Sequence, residues 1–429
     1  MPRVVLTHAA VLDVERGVLP NRSVVVEGNR IVSVRSVADV TARDGDRVID
    51  LDGMTLLPGM VQAHWHGTYA GLDFEPPPVG LEKPPGYLML LAAKHARMAL
   101  ERGFTSVIGA ASGDAIDAQL KAAIEDGVID GPRVVPCGRW LITTGDSNDL
   151  PNFWWWGITS PGSQRICDGP DEFRKAVRQE IKEGAEIVKI FADSGHALLY
   201  GSDFVSMTEA ELSAVVEAAH DRGKKVRCHV TAKRMILRCI DAGVDVLDHA
   251  DGMDDECIEA MVKAGSYVCP SLYLPKAMLA MIAAQGQGKQ NEPFFVTMRR
   301  DLDRMCEVLP RAAKAGVKLM VGDDWGTVMT PHGDYAKELE LYVNDAGIDA
   351  RTVLRWAIVH GTECMGMGEQ LGRIEEGRLA DVVAVHGEPS RDISILASPD
   401  NIRLVMKDGK LIREVLPPAP GASRLRAAR

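Results

Sequence analysis

The chain has no cluster of Lys and Arg, no paired cysteines and no long apolar run, and each absence removes a class of function. Its net charge is −11, whereas phosphate or anionic-lipid surfaces need clustered cations. The only basic run, Arg424, Arg426 and Arg429, lies in a Pro/Ala-rich tail and reads as a frayed end. The eight cysteines, at 137, 167, 228, 239, 257, 269, 306 and 364, include no C-x-x-C pair. They read as buried thiols in a reducing compartment. No stretch approaches about 18 uninterrupted apolar residues, and no basic segment followed by an apolar run opens the chain. A soluble, cytoplasmic protein with no nucleic-acid or membrane partner is the expectation. A G-x-S-x-G nucleophile elbow is also missing, so nothing suggests an acyl-enzyme.

What is present describes a large core: 46% of residues are apolar and 25% charged. The 429 residues suit one barrel of roughly 250 to 350 residues plus a smaller module. Residues 3–59 alternate in the manner of strands and are punctuated by turns such as Glu27-Gly28-Asn29-Arg30. Residues 379–413 repeat that grammar, which predicts a β-sandwich built from both chain ends, 1–59 with 371–416, followed by a flexible tail, 417–429. Between them, 60–370 alternates short apolar runs with amphipathic helical stretches, the pattern of parallel strands joined by helices. Eight runs are visible, at 60–66, 104–110, 133–142, 187–192, 225–230, 244–250, 267–272 and 317–322, and they predict a (β/α)8 TIM barrel. Several helical segments end at a glycine (Gly103, Gly184, Gly223, Gly265), the usual left-handed cap.

In such a barrel the chemistry sits at the C-terminal strand ends. Metal-ligand residue types fall there: His64-Trp65-His66 on run 1, Lys189 on run 4, His229 on run 5, His249 on run 6 and Asp323-Asp324 on run 8. A lone histidine at a strand end is usually packed or solvated, but five such positions on the right strands point to a metal. His64 and His66, two apart, share one face of their strand. Neutral imidazoles and carboxylates suit Zn²⁺ or a similar divalent ion. Lys189 fits such a site only if CO₂ carboxylates its amine, turning a cation into an anion able to bridge two metals; otherwise it snorkels or pairs with a carboxylate. Its apolar neighbours Ile187, Val188, Ile190 and Phe191 favour the free amine.

Leu57-Pro58-Gly59-Met60-Val61-Gln62-Ala63-His64-Trp65-His66 resembles the first-strand signature of the amidohydrolase superfamily. Val188–Gly195 and His249-Ala250-Asp251-Gly252 are similar to its imidazolonepropionase-like and Xaa-Pro dipeptidase-like branch, which also holds ochratoxin-type amidases. Leu371–Asp381 matches the family's return into the sandwich. The resemblance implies a two-metal centre, with His64, His66 and the last-strand aspartate on one ion and His229 and His249 on the other. Carboxylated Lys189 and a hydroxide would bridge them. The family pattern Gly-Thr-Asp-x-Gly reads here Gly322-Asp323-Asp324-Trp325-Gly326, which registers the ligand at Asp324 with Asp323 as the alternative. Asp324, Lys189 and His249 are then the expected catalytic residues, Asp324 moving a proton from the attacking hydroxide to the leaving nitrogen. A homo-oligomer is also implied.

The expected substrate is a small-molecule amide: an N-acyl amino acid, a dipeptide, or an aryl amide or urea of bulky aromatic type. Trp154 and Trp155, in the segment Asn152–Gly157, read as an aromatic wall for substrate, as a lid packed on its own barrel, or as a dimer contact. His196, Tyr273, Trp325 and His332 follow strands 4, 7 and 8 and are further candidates for substrate binding. Arg234 could meet a substrate carboxylate or simply be solvated. Relatives show Thr-Gly-Gly-His where this chain has Thr144-Gly145-Asp146-Ser147, so their substrates do not transfer directly. The alternatives are a mononuclear deaminase or cyclic amidase on the same barrel, and a catalytically inactive assembly or binding relative.

Overall fold

The computed structural model describes residues 3–71, 79–146, 149, 162–193, 204–286, 288 and 291–416. The chain divides into two compact units: Met1–Met60 with Leu100–Thr105 and Ala350–Arg429, and Val61–Ala99 with Ser106–Asp349.

The first unit is organised by one eight-stranded sheet drawn from both chain ends. Strand Thr55–Pro58 is its seam. It pairs in parallel with strand Val4–Asp13 and antiparallel with strand Val382–Val385. Alternation along these strands sends Leu6, Val24, Val26, Leu56, Val382, Leu404 and Met406 into one buried apolar cluster. Each such side chain contributes about 1.5–3 kcal/mol through burial, which holds the distant chain ends in register.

The second unit alternates strands and helices. Seven strands form a wholly parallel sheet in the order Gln164–Ile166, Trp140–Ile142, Ile187–Phe191, Lys225–Val230, Val246–His249, Tyr267–Cys269 and Lys318–Leu319. A three-stranded sheet runs Met60–Trp65, Phe104–Gly109, Arg133–Val135, the last pair parallel. Beyond these ladders, Ala63 N donates to Val321 O (2.8 Å) and Ile187 N to Pro136 O (3.2 Å).

Two local departures from the sequence reading have clear causes. The single run expected over 133–142 is two strands, because Pro136 cannot donate to a ladder and Gly138 takes φ +72°. Strand Gln164–Ile166, an edge partner of Trp140–Ile142, follows too short an apolar stretch to be read. Among the described residues no helix is long and apolar enough to cross a membrane.

Candidate metal centre

Strand Met60–Trp65 is buried on both faces; it carries His64, and His66 follows directly after it, both buried. Asp324 meets them: its Oδ1 lies 3.0 Å from His64 Nε2 and 3.2 Å from His66 Nε2. The His64 ring centre is 5.1 Å from that of His66 and 5.2 Å from that of His249. His249 in turn lies 4.3 Å from His229. The structure therefore gathers all four histidines and Asp324 into one cluster. Gly322 permits this approach, because a Cβ there would collide with the His64 backbone nitrogen.

Support around the rings sets their orientation. The Tyr69 ring stacks on His66 at 4.3 Å and Phe191 on His229 at 4.4 Å, each within 3° of parallel. Ser271 Oγ is 3.0 Å from His249 Nδ1, the kind of outer contact that fixes which ring nitrogen faces a ligand. His249 and Ala250 hold left-handed backbone, φ +69° and +56°, which costs non-glycine residues of order 1–3 kcal/mol each.

Lys189 is almost fully buried, and its Nζ sits 2.5 Å from Asp248 Oδ2. Asp248 is also gripped by Arg227, with Nη2–Oδ1 2.6 Å and Nε–Oδ2 3.0 Å. Sequence reasoning misses both Asp248 and Arg227, although Arg227 lies two residues before His229 and thus on the same strand face.

Burial pushes the His64 imidazole below its usual value against the pull of Asp324, and pushes His66 down to about 4. Burial alone would raise Asp324, yet the His64 and His249 rings hold its carboxyl well below the usual range. A metal ion would displace the protons these rings share with Asp324, leaving imidazole nitrogens and a carboxylate, the donor set that Zn²⁺-like ions take. His64, His66 and Asp324 each offer an atom within 4.8 Å of the others, so these residues fit a metal ion.

Asp323 turns away. Its carboxylate accepts from Tyr273 N (2.8 Å), Leu274 N (3.1 Å) and Asp324 N (2.7 Å), capping helix Tyr273–Gln285. Trp325 is fully buried between the rings of Tyr273 (5.5 Å) and Tyr335 (5.0 Å). His332 Nε2 is 3.2 Å from His66 O and its Nδ1 2.8 Å from Tyr335 Oη. Both its ring nitrogens are thus engaged within the chain, under the His66 turn. Tyr273 is half-buried at the start of its helix. Trp154, Trp155 and His196 lie outside the described residues.

A cavity of about 850 Å³ opens beside Ser271 and is walled by Arg234, Leu237, Pro275, Met298, Leu302 and Met305, among others. It gives the histidine cluster a neighbouring space of small-molecule size.

His64, His66 and the aspartate they share form a group of side chains that could hold a metal ion. The family model for the amidohydrolase family matches residues 55–412, and the chain belongs to that family, whose members generally bind metal ions. It is a hydrolase acting on C–N bonds. Ochratoxinase from Aspergillus niger is 28% identical over 425 residues, covering 92% of this chain and 83% of the relative. A crystal structure of a prolidase complexed with N-methylphosphonate-L-proline superposes with TM-score 0.84 at 28% identity, over 96% of this chain and all of that one. A Xaa-Pro dipeptidase with bound methionine in the active site gives TM-score 0.80 at 28% identity, over 95% and 99% of the two chains.

Proposed function

We propose that the chain is a binuclear metal-dependent amidase acting on N-acyl amino acids or dipeptides with an apolar or aromatic portion. The two sheets are read as arcs of one (β/α)8 barrel over 60–370; the Ala63–Val321 and Ile187–Pro136 hydrogen bonds support this by joining strand neighbours that the ladders leave apart. The observation that carries the function is the Asp324 oxygen shared by His64 and His66, with the His229–His249 pair alongside.

His64, His66 and Asp324 would hold one ion, and His229 and His249 the other, with carboxylated Lys189 between. Zn²⁺ is the expected metal. Divalent ions bound there supply a lowered water pKa and polarisation of the scissile carbonyl. Asp324, ionised and within reach of His64 and His66, accepts the proton of the attacking water and returns it to the leaving nitrogen. Proton transfer of this kind is worth roughly 10²–10⁴-fold in rate. Phe191 and Tyr69 exclude water from the ring faces they cover. The adjacent cavity offers Leu237, Met298 and Leu302 to an apolar group, and Arg234 to a carboxylate. The similarity to an ochratoxinase, a prolidase and a Xaa-Pro dipeptidase supports this substrate class.

The alternative is a one-metal enzyme such as a deaminase, which has no need of a carboxylated Lys189. Elemental analysis of wild type and Lys189→Ala, prepared with bicarbonate, separates the two. About two metals per chain falling to one or none in the variant supports the amidase reading; one metal in both overturns it. A panel of N-acyl amino acids, dipeptides and aryl amides or ureas then assigns the substrate.

A further inference from the structure

We infer that His332 and His95 are positioning residues: they hold the turn that carries His66, and so set how tightly the His64–His66–Asp324 group takes a metal ion. The inference rests on the metal-centre reading above.

A ligating imidazole is usually oriented through the ring nitrogen that faces away from the metal. His66 presents Nε2 to Asp324, and among the described residues its buried Nδ1 has no hydrogen-bond partner. The Tyr69 ring stacked on it sets the plane of the imidazole, but a stack leaves sliding within that plane open. The remaining constraint is the backbone. Tyr69 N closes the turn by donating to His66 O (3.0 Å), and two further imidazoles hold its carbonyls. His332 Nε2 is 3.2 Å from His66 O, and His95 Nδ1 is 2.8 Å from Gly67 O. These two rings stack on each other, with centres 4.0 Å apart and planes 22° from parallel.

A carbonyl oxygen only accepts, so the nitrogen facing it carries the hydrogen. That nitrogen is Nε2 in His332 and Nδ1 in His95. Tyr335 Oη, 2.8 Å from His332 Nδ1, can donate there and fix the tautomer. Close packing keeps the turn in place: a Cβ on Gly67 would meet the Trp65 ring at 2.3 Å, and one on Gly326 would meet His332 Nε2 at 2.9 Å. His332 also belongs to the loop that follows Asp324, where Gly326 N donates to Thr330 O (2.7 Å) and Thr330 Oγ1 to Asp324 O. One loop therefore grips His66 at two points, the ring through Asp324 and the backbone through His332.

The test exploits which nitrogen donates. Asn carries its amide N–H near the place of an imidazole Nδ1, and Gln near the place of Nε2. Metal-free wild type, His332→Gln, His332→Asn, His95→Asn and His95→Gln are titrated with Co²⁺. The Kd is read from the titration and the ligand geometry from the visible absorption at saturation, with a thermal melt to confirm folding. His332→Asn and His95→Gln misplace the donor and should raise the Kd by about tenfold or more, with an altered spectrum. His332→Gln and His95→Asn keep the donor and should stay close to wild type in both readouts. Wild-type affinity in the two mismatched variants overturns the inference. Equal weakening by both substitutions at each position overturns it too, because it assigns the rings a packing role only. If a mismatched variant does not fold, its matched counterpart decides: a folded His332→Gln or His95→Asn with a Kd raised about tenfold overturns the inference. A wild type that takes up no Co²⁺ is a different outcome: it defeats the metal-centre reading, and the inference falls with it.

Discussion

Asp323 and Asp324 are consecutive, yet their carboxylates serve opposite ends of the same strand–loop junction. Asp324 Oδ1 lies 3.0 Å from His64 Nε2, whereas Asp323 Oδ2 accepts the N–H groups of Tyr273 and Leu274. Under the proposed function one carboxylate belongs to chemistry and the other to a helix end, so their removal should separate cleanly. Asp324→Asn should lower kcat by roughly 10²–10⁴-fold with little change in melting temperature of the metal-free protein. Asp323→Ala strands buried N–H groups and should cost about 1–3 kcal/mol of stability, seen in thermal or urea unfolding. Equal losses of kcat per folded molecule in both variants would refute the division.

The carboxyl beside Asp323 gives a pH prediction. Glu338 accepts from Leu272 N and Tyr273 N, and burial pushes it up to about 7 from an ordinary 4.5. A group whose folded-state value is raised stabilises the fold below its unfolded value and loses that contribution as pH rises through the folded one. Between about pH 5 and 8 the melting temperature of wild type should therefore decline more steeply than that of Glu338→Gln. Parallel melting curves for the two proteins across that window would contradict this.

Gly322 sets the distance between two strands of the site. A methyl group there would collide with the His64 backbone nitrogen and stand only 2.7 Å from Gln62 Oε1 and 2.8 Å from Cys269 Sγ. Gly322→Ala should displace His64, costing about 1–3 kcal/mol through overpacking and lowering metal content. Retention of full metal content by the variant would show that the strand yields without moving the histidine.

Arg234 lines the cavity and makes no ion pair among the described residues. A charge-assisted bond to a substrate carboxylate is worth about 1.5–3 kcal/mol. Arg234→Ala should raise KM by roughly tenfold or more for substrates ending in a carboxylate, and leave their amidated analogues unaffected. Equal changes for both substrate sets would remove the carboxylate from the proposal.

The extent to which the site is legible follows from backbone geometry. His64 and His66 can be paired because strand alternation puts i and i+2 on one face, whereas the choice of Asp324 over Asp323 comes from the resemblance, by registering Gly322 and Gly326 on the family pattern. Asp248 cannot be read. Alternation places it opposite its neighbour His249, but the left-handed φ at His249 turns that ring toward His64 and His229 while Asp248 reaches Lys189. Arg227 obeys the alternation rule with His229, yet a buried arginine on a strand is rare enough to be passed over. The roles suggested for Trp325 and His332 rest on position in the chain alone, which does not tell a side chain packed beneath a turn from one facing a ligand. In the terminal sheet the strand grammar is plain. The split at Pro136–Gly138 and the short strand Gln164–Ile166 are not, because three-residue strands carry almost no periodic signal.

The cavity beside Ser271 has a consequence for redesign. Apart from residues at 251–252, 271 and 275, its wall comes from two stretches, 231–238 and 297–305, and neither contains His64, His66, Lys189, His229, His249 or Asp324. Combinatorial libraries confined to those two stretches would vary the shape and charge offered to a substrate while every donor side chain stays as it is. Under the proposed function, substrate acceptance would be an evolvable trait whose sequence positions are separate from those that set reactivity.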